Sequence, residues 1–406
     1  MAGVGDVGSA LCEANVPFGL AKIHHVQEQL GIDPDATFVG APDATITRNE
    51  ARWSQGFGYG GVYAWSGDFT VLDIKPNACG MIVGSLPELP DLEDLRARLH
   101  ALDDQVITVD GTTIENDLAE SNHFVDVFKV VPPHHSRSSE SSSRSDGSGP
   151  QGMVDFIANS ARYLYIMHSS GHEHRGPNTR GPGLYWDQSA ELRAAARRFE
   201  TPWGDLRILD GERLETWYRH YLDVQHFNHR RREALADFLF GEHSVLINAT
   251  HQGLVRGYNR ANIGCYTFDD SAADDAVFPL TLSPNLPAFL VRGRHNIGEI
   301  AIEKLGWSER IERHALGRRI AGTNVLPHGG GYAYPQLRGV ARVIELGPDD
   351  RRFELMPAAP DASREVIETP RHLDYSYRGL DVKNRLEELE LGEVVARLDL
   401  EYVLTA

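Results

Sequence analysis

No run of about 18 or more apolar residues occurs in this chain, so a membrane-spanning helix is not expected. The opening residues, MAGVGDVGSALCEANVPFG, lack the basic stretch followed by an apolar one that marks an export signal. The cytoplasm is therefore the expected compartment. Cysteine is equally scarce. Cys12, Cys79 and Cys265 are too few and too scattered for a disulfide framework, and each reads either as core filler or as chemistry. Lysine is nearly absent, so the positive charge is almost all arginine, which favours bidentate contacts to phosphate over diffuse attraction. The formal net charge of −18 counts against a broad, sequence-blind grip on nucleic acid, although it leaves room for a local basic groove.

The 406 residues suffice for one large domain or two ordinary ones. Residues 136–150, SRSSESSSRSDGSGP, contain no apolar side chain and cannot repay the entropy of ordering, which predicts a disordered surface insertion. The apolar stretches on either side, HFVDVFKVV and FIANSARYLYIMH, read as strand or core segments that neighbour one another in one domain. Residues 212–240 set Leu214, Trp217, Tyr221, Val224, Leu235 and Phe238 on one face, predicting a long amphipathic helix with Arg219, Arg230 and Arg231 on the other. Near the end, NRLEELELGEVVARLDLEYVL predicts a helix, a Gly-containing stop, a short helix and then a strand. Short β-rich segments (FTVLDI, DQVITV, SVLINAT, PAFLVRG) alternate with Gly/Pro-rich loops, without a repeat. The expected class is α+β.

Eighteen histidines are the anomaly, several of them beside glycines or directly after β-like segments. Cys79 in PNACGM, His123 in ESNHFVDV, His168 in YIMHSSGHEH and His251 in INATHQG are donors that suit manganese, iron, cobalt or zinc. No CxxC pair is present and no HxxxH finger is expected, so such a site is expected to be assembled from distant parts of the chain. A single histidine is more often a satisfied core or surface ring than a ligand; several near strand ends are harder to explain that way. His328 in NVLPHGGGY stands apart, because Gly329, Gly330 and Gly331 leave room for a ligand to approach the backbone. It is a candidate nucleophile, against the plainer reading of an exposed ring in a turn.

At these residues the chain resembles the RtcB family of RNA-splicing ligases, which join a 3′-phosphate or 2′,3′-cyclic phosphate end to a 5′-hydroxyl end. Asn122-His123-Phe124 is similar to the family's GGGNHF segment, His168-Ser169 to the start of HSGSRG, His251 to its HN pair, and His328-Gly329-Gly330-Gly331 to the HGAGR loop. Cys79-Gly80-Met81 resembles the CGM of DxGCGM, YLDVQHFNHRRRE a helix ending in NRE, and SYRGLDVKNRLEELELGEVVARLDL the family's AYKDIDEVV…VARLRPL ending.

The resemblance implies a single RtcB-like domain over residues 1–406, with central β-sheets flanked by helices. It also implies two manganese ions held by Cys79, His123, His168, His251 and Asp73, and a His328 that becomes guanylylated by GTP. Asn122, His295, Asn296, Gly329, Gly330 and Tyr377 fall on or beside segments that contact the nucleotide. The implied partners are a nucleotide and RNA ends, with no membrane and an activating protein left open. Departures are also plain. Pro76 stands where the family has aspartate, HSSGH lacks the arginine of HSGSR, Tyr332 replaces the arginine of HGAGR, RGRHNIG (292–298) stands for PGSMG, and the near-terminal lysine falls at about Thr405. They favour, as an alternative, a nucleotidyl- or phosphoryl-transfer enzyme acting on a small molecule; a metal-binding paralogue without chemistry is the further alternative, against which the retention of His328 argues.

Overall fold

The structure, a computed structural model, describes residues 1–118, 122–131, 154–157, 160–269 and 276–404; the Ser-rich segment 136–150 and Thr405 lie outside the described residues. Ten strands make one antiparallel sheet: β1 (Thr37–Ile46), β2 (Gly58–Ala64), β3 (Cys79–Leu86), β4 (Phe124–Val131), β5 (Tyr163–Ser169), β6 (Ser244–Leu254), β7 (Arg260–Ile263), β8 (Val277–Leu280), β9 (Ala288–Gly293) and β10 (Gly392–Leu404). Across the sheet they run β1-β2-β7-β6-β3-β5-β4-β10-β9-β8. With helices beside it, the class is mixed α and β, as the sequence suggests. Among the described residues no helix is long and apolar enough to cross a membrane.

β3, in the middle of the sheet, is buried on both faces along its whole length. The two segments flanking the Ser-rich stretch are indeed neighbours: β4 pairs with β5, Phe124 opposite His168.

One face is covered by α1 (Val7–Gln29) and by α2 (Gly211–Phe240), which packs on β3 and β6. The predicted stripe of α2 holds, with Leu214, Trp217, Tyr221, Val224 and Leu235 buried and Phe238 half-buried. Burying each such side chain contributes about 1.5–3 kcal/mol. One expectation fails on the opposite face. Arg231 is fully buried, like Arg232, because it pairs with Asp117 at 3.1 Å and Glu173 at 3.0 Å, and a buried charge is retained only when paired.

The C-terminal region is also simpler than predicted. After the helix Asp381–Glu388 the chain goes directly into β10, so GEVVARL is strand and not a short helix. Val394 and Val395 are β-branched, and β10 finds hydrogen-bonding partners on both sides, in β4 and β9, which overrides local helical preference.

Candidate metal centre

His251, Cys79, His168 and His123 come from four strands adjacent in the sheet, β6, β3, β5 and β4. Cys79 opens β3, His168 is the last residue but one of β5, and His123 immediately precedes β4. Neighbouring strands lie about 4.8 Å apart, so residues at the same end of such strands converge without any loop to hold them. His251 reaches the group by an irregularity. Thr250 pairs with Gly80 and Gln252 with Cys79, so His251 is the unpaired residue of a β-bulge, a feature that re-aims a side chain. The approach to Cys79 is strained too, because Lys75 and Ala78 both have positive φ, at 52° and 53°.

The donors are oriented for metal. Cys79 Sγ lies 3.1 Å from His168 Nε2 and 3.8 Å from His123 Nε2. The far nitrogen of His168 donates to the Asn122 carbonyl at 2.8 Å, and that of His123 lies 3.0 Å from an Asp117 carboxylate oxygen. Each ring thus presents Nε2 to the thiol, with the kind of outer support that fixes metal-ligating histidines. Asp117 also accepts from the Ser169 hydroxyl, the Ser170 N–H and the Arg231 guanidinium. Burial opposes ionisation of Asp117, but the bonds from His123 and Arg231 hold its carboxyl well below the usual range.

Burial would keep the Cys79 thiol protonated; the neighbouring His168 foremost, with the hydrogen bonds from His123 and His168, outweighs it and brings the thiol well below its ordinary value. His251 is 0% exposed, neither of its ring nitrogens has a hydrogen-bond partner, and burial lowers its pKa to about 3. A neutral, buried, unpartnered imidazole 4.9 Å centre-to-centre from the His168 ring is what a missing ligand partner leaves behind. Cys79, His123 and His168 bring one donor atom each within 4.8 Å of one another. The residues fit a divalent transition metal with thiolate and imidazole ligands.

Asp73 does not join them. It accepts the Arg207 N–H at 2.7 Å and lies 3.6 Å from that guanidinium, and burial pushes its carboxyl up to about 6. The resemblance implied it as a ligand in place of the aspartate that Pro76 replaces; a 3-10 turn at Leu72–Ile74 faces it toward the neighbouring Arg207 strand instead.

His328 follows a short strand, Val325–Pro327, paired with Cys265–Thr267, and its ring lies 4.6 Å from that of His251. The ring is buried, not exposed in a turn. Its Nδ1 lies 2.8 Å from Asp43 Oδ2, and its Nε2 lies 3.4 Å from the Tyr59 hydroxyl. Asp43 is itself on a bulge: Gly40 pairs with Gly61 and Thr45 with Tyr59, which leaves residues 41–44 opposite Gly60 alone. Gly60 has φ of 78°, and a Cβ there would meet Ala44 Cα at 2.7 Å, so the bulge requires glycine.

Two cavities meet at this group. One, of about 250 Å³, is largely apolar and is bounded by Asn122, His328, Gly329, Gly330 and Tyr377, together with Asp126. The glycines leave less room than expected, since a Cβ on Gly330 would strike the Leu282 carbonyl at 2.6 Å. They are needed as much for packing as for ligand access. His295 and Asn296 are not in the lining. His295 is exposed, and the Asn296 amide is spent on the backbone of Arg294, Val325 and Leu391, so the nucleotide role implied for Asn296 gives way to a structural one.

The second cavity, of about 620 Å³, opens on Cys79, His123 and His168 and carries Arg48, Arg52, Lys75 and Arg175 with no carboxylate in its lining. In a chain of net charge −18 this is a local cationic pocket beside metal donors. The sequence reading missed Asp43, Asp117, His172 and these cations. Arg175-Gly176 after HSSGHEH, and the HxxxH spacing of His168 and His172, were the available signals. No protein-family model matches the chain, and no curated protein does.

Proposed function

We propose that this chain is a metal-dependent nucleotidyl-transfer enzyme working through His328, and specifically a manganese- and GTP-dependent RNA ligase that joins 3′-phosphate or 2′,3′-cyclic phosphate ends to 5′-hydroxyl ends. One observation carries the reading: a histidine tied through Nδ1 to a buried carboxylate lies directly against a metal-compatible thiolate–imidazole group. With Nδ1–H donated to Asp43, the neutral ring has its lone pair on Nε2. The lone pair forms an N–P bond with the α-phosphorus of the nucleotide; the bond to the bridging oxygen breaks, and pyrophosphate leaves with that electron pair. Asp43 stabilises the positive charge that the ring then carries. A 2′,3′-cyclic end is first opened by water, whose oxygen bonds to phosphorus while the P–O2′ bond breaks and the 2′-oxygen takes up a proton; an oxygen of the 3′-phosphate then attacks the same α-phosphorus, and the N–P electron pair returns to Nε2. The 5′-hydroxyl finally attacks the activated 3′-phosphorus, loses its proton to solvent, and releases the nucleoside monophosphate. Bound divalent ions would supply neutralisation of phosphate charge.

Of the four cations of the larger cavity, Lys75 is paired with Asp187 at 2.5 Å and Arg52 is bonded to the Ile74 and Lys75 carbonyls, while Arg48 and Arg175, with no carboxylate in the lining, suit a phosphate-bearing acceptor. A second reading keeps the chemistry and replaces RNA with a small phosphorylated molecule, and the acidic balance of the whole chain favours it. A metal-binding paralogue without chemistry would give no reason for the Asp43–His328 pair.

Incubation with manganese and α-labelled GTP, ATP or CTP is expected to leave an acid-labile label on the protein that His328→Ala abolishes. Absence of label with every nucleotide overturns the proposal. Sealing of a nicked hairpin with a 3′-phosphate supports the ligase; labelling without sealing favours the small-molecule acceptor.

A further inference from the structure

The His328 ring is held at both of its nitrogens. Asp43 fixes Nδ1 at 2.8 Å, and Nε2, the atom that attacks, faces the hydroxyl of Tyr59 at 3.4 Å. The two rings meet edge to face, with centres 5.4 Å apart and planes at 66°. Tyr59 is placed by the same irregularity that places Asp43: it pairs with Thr45 just beyond the bulge in β1, and Gly60 follows it. Its ring packs against Gly264, where a Cβ would come within 2.3 Å of the ring carbon Cε1. Tyr59 lines both the apolar and the cationic cavity, so its hydroxyl meets the reacting nitrogen where the two chambers join.

With Nδ1–H given to Asp43, Nε2 carries a bare lone pair, and the Tyr59 O–H is the donor of this bond. Burial holds the hydroxyl well above its ordinary pKa, so it keeps its proton and remains a donor. A phosphorus atom that bonds to Nε2 must take the lone pair that the hydroxyl now occupies. The contact is long and yields at little cost, and catalytic hydrogen bonds of this kind tighten only in the complex. The oxygens of a phosphoryl group bonded at Nε2 project into the space where the hydroxyl stands.

We propose that Tyr59 is a further catalytic residue of the nucleotidyl transfer, whose hydroxyl caps Nε2 in the free protein and, when the α-phosphorus takes that lone pair, donates to a non-bridging oxygen of the same phosphorus. The O–H bond of Tyr59 stays intact throughout: N–P forms as the bond to pyrophosphate breaks, and N–P later breaks as the acceptor oxygen bonds to phosphorus. When the electron pair returns to Nε2 the hydroxyl caps it again, which stabilises the departing imidazole. The inference rests on the nucleotidyl-transfer reading and assigns part of its transition-state stabilisation to a side chain outside the metal donors.

Tyr59→Phe keeps the ring and removes the hydroxyl alone. In protein carrying ring-¹⁵N histidine, without nucleotide, the His328 Nε2 resonance is identified by its loss in His328→Gln. It is expected to move downfield in Tyr59→Phe. With manganese and the α-labelled nucleotide that labels the unaltered protein, single-turnover labelling of Tyr59→Phe is expected to slow by roughly 10²-fold, as loss of one donor to a developing anion does, with the nucleotide-binding isotherm unchanged. An unmoved Nε2 resonance overturns the proposal, as does labelling at the rate of the unaltered protein or a loss of nucleotide affinity that accounts for the whole loss of rate. An acid-stable label that Tyr59→Phe abolishes also overturns it, because the hydroxyl would then be the nucleophile. Absence of label on the unaltered protein defeats the proposed function and this inference together, whereas equal labelling of the unaltered protein and Tyr59→Phe defeats this inference alone.

Discussion

Oδ2 of Asp43 receives three donors, the Nδ1–H of His328 at 2.8 Å, the His328 N–H at 3.1 Å and the Gly329 N–H at 3.3 Å. One carboxylate oxygen thus sets both the ring and the backbone on which the ring stands. Asp43→Asn preserves an acceptor but removes the charge that balances a phosphorylated imidazole. Labelling of His328 is expected to slow by roughly 10²- to 10⁴-fold, in keeping with what loss of an orienting carboxylate costs elsewhere. Single-turnover labelling beside a nucleotide-binding isotherm checks this: binding should persist, and a labelling rate equal to that of the unaltered protein would exclude the role.

His251 separates metal binding from folding. Both of its nitrogens are buried without partners, and an unsatisfied buried polar group costs about 1–3 kcal/mol. His251→Leu is therefore expected to raise the melting temperature of chelator-treated protein and to cancel the stabilisation that added manganese gives the unaltered chain. Calorimetry in both conditions provides the comparison. A variant stabilised by manganese as much as the unaltered protein would remove His251 from the ligand set.

Arg175 is expected to act on the acceptor and not on the nucleotide. It lines the cationic cavity, and its Nε is buried with no partner. Arg175→Ala should weaken binding of a 3′-phosphorylated oligonucleotide by about 10-fold or more, since hydrogen bonds to charged groups contribute about 1.5–3 kcal/mol. The rate of His328 labelling should be unchanged. Equal loss in both assays would place Arg175 with the nucleotide instead.

Asp126 predicts a pH dependence of stability. Burial pushes its carboxyl up to about 7, against the bond it accepts from the Leu404 N–H. Between about pH 4 and pH 7 the folded protein keeps a proton that the unfolded chain has released, so this contribution is complete at low pH and is lost as pH rises through 7. Asp126→Asn should be more stable than the unaltered protein at pH 8, on the order of a few kcal/mol, with the difference shrinking toward pH 4. Denaturant titrations across that range measure it; a difference that does not vary with pH would refute it.

The sequence made some of this legible and hid the rest for identifiable reasons. The α2 stripe and the strands on either side of the Ser-rich segment follow from hydrophobic spacing, which the structure respects. Cys79, His123, His168 and His251 were visible as unusual residue types beside strands, and four adjacent strands bring them together. Asp43 was invisible because it lies within an apolar strand, and its direction depends on a bulge that only the pairing with β2 creates. Asp117, Arg231 and His172 acquire meaning through contacts between segments more than 50 residues apart, such as the Asp117–Arg231 pair. Asp73 erred in the opposite way: as the nearest stand-in for the aspartate that the resemblance expects before Cys79 it suggested a ligand, and a partner 134 residues away claimed it.

β10 lies inside the sheet, between β4 and β9, and its Leu400 and Val403 form part of the wall of the apolar cavity. Because β10 is hydrogen-bonded on both sides, one strand bridges two segments that are far apart in the chain and closes the cavity at the same time, so any local opening of β10 would break two strand pairs and breach the chamber together.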